Sequence, residues 1–130
     1  MQFEIYDNGA DWSKPLIYMW EIKSRTGCVM GLYVGKAKAG AKRPTTHYSR
    51  NVANILAGKP YRRGKPDGYR RVHHVLARAH RQGHSITLHF LCNVESPESI
   101  NEVEKRCIRE RRTQGIESWQ LNGRRTMVSL

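Results

Sequence analysis

Two kinds of periodicity divide the chain. Residues 15–22 (Pro-Leu-Ile-Tyr-Met-Trp-Glu-Ile) and 28–34 (Cys-Val-Met-Gly-Leu-Tyr-Val) are rich in β-branched and aromatic side chains, which suit a pleated, half-buried surface. Ser24-Arg-Thr-Gly27 separates them and Gly35 ends the second, so the pair predicts a β-hairpin. Residues 85–92 alternate and then turn continuously apolar, as a third, interior strand would. Residues 3–6 carry a weaker pattern, compatible with one more short strand.

The other periodicity is helical. Pro44 suits the first position of a helix, where the N–H it lacks would have no partner, and this predicts a helix over residues 45–56 closed by Gly58. Residues 59–68 hold turn formers and charge without periodicity and read as a loop. Val72, Val75, Leu76 and Ala79 recur at helical spacing, giving a second helix that stops at Gln82-Gly83. Ser96-Pro97-Glu98 has the form of an N-cap, a proline and a first-turn acid, so a third helix is expected over residues 97–112. Its inner stripe is Ile100, Val103, Cys107 and Ile108. The order hairpin, helix, helix, strand, helix implies an α/β fold: a small three-stranded, mainly antiparallel sheet flanked by helices. With 130 residues, 38% of them hydrophobic, the chain can fill one modest core, and a single domain over residues 1–130 is expected.

Charge changes this picture by adding a partner. Lys and Arg number 23 against 11 Asp and Glu, a formal charge of +12. That excess fits nucleic acid, because each neutralised phosphate releases condensed counterions. No apolar run is long enough to span a bilayer, and no membrane partner is expected. A basic insertion at about residues 58–83 supplies Arg62, Arg63, Lys65, Arg70, Arg71, Arg78 and Arg81 as candidate phosphate contacts; the bland alternative is a solvated face. Trp12, Trp20 and Trp119 could stack on bases, although packing is the commoner fate of a tryptophan.

Cys28, Cys92 and Cys107 are odd in number, form no CxxC pair and lie among apolar neighbours, so they read as free, buried thiols. The opening residues lack a cationic stretch followed by an apolar one, and a reducing, cytoplasmic or nuclear-type compartment is the expectation. His73-His74 and His80 with His84 invite a zinc site, but Gly83 interrupts the helix that would align the last pair. Glu104 is more telling: it falls on the inner stripe of the third helix, while Glu102, Lys105, Arg106 and Arg109 fall opposite. An acid directed toward the core needs a counterpart, and a metal ion is the reading preferred here.

Leu16-Ile17-Tyr18 and Tyr33-Val-Gly-Lys-Ala37 resemble the two boxes from which the GIY-YIG nuclease superfamily takes its name. Arg43 and then His47 follow at the interval of that family's arginine and of a histidine or tyrosine one helical turn later, with Arg50 as a second candidate for the arginine. Glu104, ahead of Cys107-Ile108-Arg109, is similar to the family's helix-borne glutamate, and Asn122 in Leu121-Asn-Gly to its late asparagine. Each box alone is weak, and their order from residue 16 to residue 122 is the specific part. Leu16 stands where the family has glycine, and the segments between the boxes and between Glu104 and Asn122 are longer than usual.

The resemblance implies an endonuclease that hydrolyses phosphodiester bonds in DNA, with duplex DNA as partner and Mg²⁺ or Mn²⁺ as cofactor. Glu104 would anchor the metal, since Mg²⁺ prefers oxygen ligands and keeps several waters. Arg43 would clamp the phosphate in a fork that lysine cannot reproduce. Tyr18 would act as general base if Lys36, Arg43 and the metal lowered its pKa. Tyr33 and His47 would position water or phosphate, His47 being a second candidate base. A freestanding restriction, mobile-element or phage-type enzyme is the form expected by analogy. A duplex break by a one-site enzyme needs either two subunits, hence a homodimer on DNA, or two successive nicks. The rivals are a basic nucleic-acid-binding module without chemistry and a ribonuclease.

Overall fold

The computed structural model describes residues 1–123. Its sheet has four strands, not three: β1 (Glu4–Tyr6), β2 (Leu16–Lys23), β3 (Val29–Ala37) and β4 (Ser85–Asn93), in the order β1-β4-β2-β3. The additional strand is the weak N-terminal pattern, which lies parallel to β4 with Glu4 opposite Thr87 and Tyr6 opposite His89. The other pairings, β2 with β3 and β2 with β4, are antiparallel, so the sheet is mixed. β4 is interior, as its apolar run requires, because β1 covers its outer edge.

β2 is central and buried on both faces. Leu16, Tyr18, Trp20 and Ile22 point to one core, shared with Tyr48 and Val52 of the first helix and Val72, Leu76 and Ala79 of the second. Ile17 and Met19 point to the other, with Val34, Val103 and Cys107. Helices therefore cover both faces, α1 (Tyr48–Leu56) and α2 (Arg71–Arg81) on one side and α3 (Ile100–Arg111) on the other.

Two boundaries and the burial of two cysteines differ from expectation. The first helix opens with a π-helical turn over Arg43–His47 that holds Pro44 before α1 begins. α3 starts at Ile100 with Ser99 at its N-cap, later than residue 97, and Ser96-Pro97 is a cis peptide in the preceding loop. The thiols are free, but only Cys107 is buried; Cys92 is half-buried and Cys28 exposed at the hairpin turn. No helix among the described residues is long and apolar enough to cross a membrane.

Candidate active site

Register brings the two box tyrosines together. Across β2 and β3, Tyr18 faces Gly35 and Trp20 faces Tyr33, so Tyr18 and Tyr33 are diagonal neighbours on one face of the sheet. The β2–β4 ladder shifts register between Ile17 and Tyr18, and such irregularities bend a strand and redirect its side chains. Tyr18 is 1% exposed and its hydroxyl is 2.9 Å from that of Tyr48. Tyr48 in turn accepts a short hydrogen bond from Nη2 of Arg70, whose Nη1 donates to the Tyr33 hydroxyl at 3.1 Å. The Arg70 guanidinium carbon also lies 5.7 Å and 5.5 Å from the centroids of the Tyr33 and Tyr48 rings, within cation–π range.

This cluster borders a cavity of about 490 Å³ lined by Tyr18, Tyr33, Lys36, Arg43, His47, Arg70 and Glu104, with Lys38 and Ala39. Six of the seven residues singled out as a candidate catalytic set thus share one cavity. It receives side chains from both faces of the sheet because β3 is an edge strand: Lys36 lies opposite Ile17, on the α3 side, and donates to Asn101 of α3. That contact joins β3 to α3 one turn before Glu104.

Asn122 does not line the cavity. It is 7% exposed, and its side-chain amide accepts from Val34 N and donates to Val34 O, both at 2.6 Å. The amide thereby extends the ladder of edge strand β3 at the residue between Tyr33 and Gly35.

Electrostatics separate the possible proton carriers. Burial pushes the Tyr18 phenol above its ordinary value of 10.0, aided by Tyr33, while the Tyr48 hydrogen bond and the charges of Arg70 and Arg43 pull the other way without prevailing. Among the protein's own groups, desolvation of the phenolate outweighs the guanidiniums of Arg70 and Arg43, so a net lowering of this pKa would have to come from the metal. Burial and the charges of Arg50, Lys42 and Arg43 hold His47 below 6.5, so its imidazole is neutral at neutral pH. Burial raises the Glu104 carboxyl despite Lys36, Arg70 and Arg43.

The basic insertion does not act as one surface. Arg70 joins the cavity, whereas the adjacent Arg71 turns its guanidinium to the carbonyls of Ser118 and Gln120. Arg71 and Arg78 line a different depression, where α2 meets Ile22 of β2 and Met30 of β3. Arg62 lies over the Tyr61 ring, and Arg63, Lys65 and Arg81 are exposed. Tyr48 and the distinct position of Arg70 were not singled out in the sequence. Tyr48 was legible, since Tyr48 and Val52 stand at i, i+4 and both face the core. Arg70 was not, being one of several basic residues in a run.

Among the described residues, no group of three or more His, Cys, Asp or Glu side chains could hold a metal ion. The cavity offers one carboxylate, a donor set for an ion that keeps most of its water and takes further oxygens from a ligand. Comparison of the chain with protein-family models, curated proteins and solved structures finds no match.

Proposed function

We propose that this protein is a metal-dependent endonuclease of the GIY-YIG type, hydrolysing phosphodiester bonds in duplex DNA. One observation carries the reading: Tyr18, Tyr33, Lys36, Arg43, His47 and Glu104, spread over most of the chain, line one cavity. A binder needs positive charge but has no use for a carboxylate that burial raises amid three cations.

Glu104 suits a hard divalent cation such as Mg²⁺ or Mn²⁺, because the ion would offset the burial that disfavours its charged form. When bound, such an ion supplies Lewis-acid stabilisation of charge on the phosphoryl and leaving oxygens. Arg43 and Arg70 hold the scissile phosphate between them, with the rigid fork that matches phosphate oxygens. Lys36 adds positive charge beside Glu104. His47, uncharged at neutral pH, takes the proton of the attacking water on a ring nitrogen. Tyr18 stays a phenol and, with Tyr33, orients water and phosphate through its hydroxyl, its position fixed by Tyr48 and Arg70.

Plasmid nicking with and without Mg²⁺, repeated with Glu104→Ala, tests the proposal. Metal-dependent nicking that Glu104→Ala abolishes is the expected result. Binding without cleavage across several metals and substrates supports the non-catalytic module instead, and preference for RNA over duplex DNA the ribonuclease.

A further inference from the structure

A second cavity, of about 550 Å³, adjoins the first and shares Arg43, His47 and Arg70 with it. Its own walls come from Tyr48, Arg50, Asn51 and Asn54 of α1, from Tyr61 and Arg62 of the loop before α2, and from the first turn of α2 at His73. Arg43, His47, Arg50, Asn51 and Asn54 recur at i, i+4, i+7, i+8 and i+11, a polar stripe on the helix whose opposite stripe, Tyr48 and Val52, is buried. The cavity therefore runs along a helix face that leads out of the candidate active site.

Its lining contains four arginines and no carboxylate. Among the described residues, the ion pairs engage other basic groups and none of Arg43, Arg50, Arg62 or Arg70. His73, 4% exposed, accepts the backbone N–H of Arg70 at Nδ1, and burial with the charge of Arg70 pushes its pKa down to about 4. It thus adds no charge at neutral pH. Concentrated like charges without a carboxylate partner are offset by an anion from outside. More than a bare phosphate fits, because two side-chain amides and the Tyr61 ring stand beside the arginines and the volume is that of a small-molecule site. Gly68 leaves the ring its place: a Cβ there would lie 2.4 Å from Cδ2 of Tyr61.

We infer that this second cavity is a subsite for the nucleotide next to the scissile phosphate, its phosphate held by Arg50 and Arg62 and its base received by Asn51, Asn54 and Tyr61. The assignment rests on the reading that a strand of DNA crosses the Tyr18–Glu104 cavity. It goes beyond a general basic grip because it names a concave site with both charged and uncharged contacts.

The test measures binding of a short fluorescein-labelled DNA duplex by anisotropy in EDTA, as a function of salt, so that no cleavage is involved. Arg50→Ala with Arg62→Ala is compared with Lys105→Ala with Arg111→Ala, which removes the same charge from the exposed face of α3. The cavity pair is expected to raise Kd about tenfold or more and to flatten the dependence of log Kd on log salt by about two units, and the α3 pair to do much less. Asn54→Ala and Tyr61→Ala remove no charge; each is expected to raise Kd about fivefold or more at an unchanged salt slope. Equal weakening by the two charge pairs, or wild-type affinity for both Asn54→Ala and Tyr61→Ala, overturns the subsite. All these positions are exposed or in a loop except the partly buried Asn54, for which a matched circular dichroism spectrum controls for folding. A protein that gives this binding pattern yet never nicks DNA keeps the subsite and loses the nuclease reading. One that nicks while all the cavity variants bind normally loses the subsite alone.

Discussion

The phenol of Tyr18 lies across the backbone of Gly35, its partner on β3, so closely that a Cβ on Gly35 would fall 2.4 Å from both Cζ and Oη of Tyr18. Gly35 is thus required for space, and its place in the second box follows from the tyrosine in the first. Gly35→Ala must displace a ring that is buried on every other side. Overpacking of this kind costs about 1–3 kcal/mol, and a shift of about 1 Å in a positioning group can cost about 100-fold in rate. The variant is expected to fold with a lowered melting temperature and to nick DNA about 100-fold more slowly. Wild-type nicking by a folded Gly35→Ala would show that the position of Tyr18 does not matter to the reaction.

Glu104 should show opposite effects on stability and activity. Burial raises its pKa from 4.5, so the folded state holds the proton more tightly than the unfolded chain. Stability from this group is then present below the unfolded pKa and lost as pH rises through the folded one. At neutral pH, Glu104→Gln is expected to melt at or above the wild-type temperature while losing Mg²⁺-dependent cleavage. Added Mg²⁺ should raise the melting temperature of the wild type and leave Glu104→Gln unmoved. Calorimetry or dye-based melting at matched Mg²⁺ concentrations reads both; equal responses of the two proteins would remove Glu104 from the metal site.

Long, regular patterns carried much of this molecule into view. β2 and β3 were visible from their β-branched and aromatic runs with turn residues between them, β4 from its alternation and apolar run, and the direction of Glu104 because Val103 and Cys107 define the buried stripe of α3. β1 was only hinted at: three residues carry little periodicity, and their pairing depends on Thr87–His89, some eighty positions away. The π turn at Arg43 was not legible, since propensity marks a helix start without its hydrogen-bond register. Arg70 and Arg71 are the same residue type side by side. What separates them is backbone: Arg70 sits in extended conformation at the N-cap of α2 and turns toward Tyr33, and Arg71, one residue into the helix, turns toward Ser118.

The pH profile discriminates between the candidate bases. His47 titrates below 6.5 and Tyr18 above 10.0. With neutral His47 as the base, kcat/KM rises with pH through a midpoint below 6.5 and is level from about pH 7 to 9. A Tyr18 phenolate would instead make the rate climb about tenfold per pH unit over that interval. The level profile is expected, and His47→Ala should abolish the acid limb along with most of the rate. A slope near one above pH 7 would return the role to Tyr18.

Asn122 should matter to the strand and not to the chemistry. Its amide exchanges two hydrogen bonds with Val34, and its own N–H bonds to Thr113 O, so it fastens the C-terminal segment to β3 where Tyr33 and Gly35 flank Val34. Asn122→Ala leaves the N–H and C=O of Val34 without these partners, and a buried polar group left unsatisfied costs about 1–3 kcal/mol. Denaturant melts are expected to show a loss of that size. Because no atom of Asn122 lines the cavity, activity measured well below the melting transition should fall only as far as the folded fraction and the setting of Tyr33 allow, by roughly tenfold or less. A loss as deep as that of Glu104→Ala in a protein still fully folded would instead bring Asn122 into contact with the substrate.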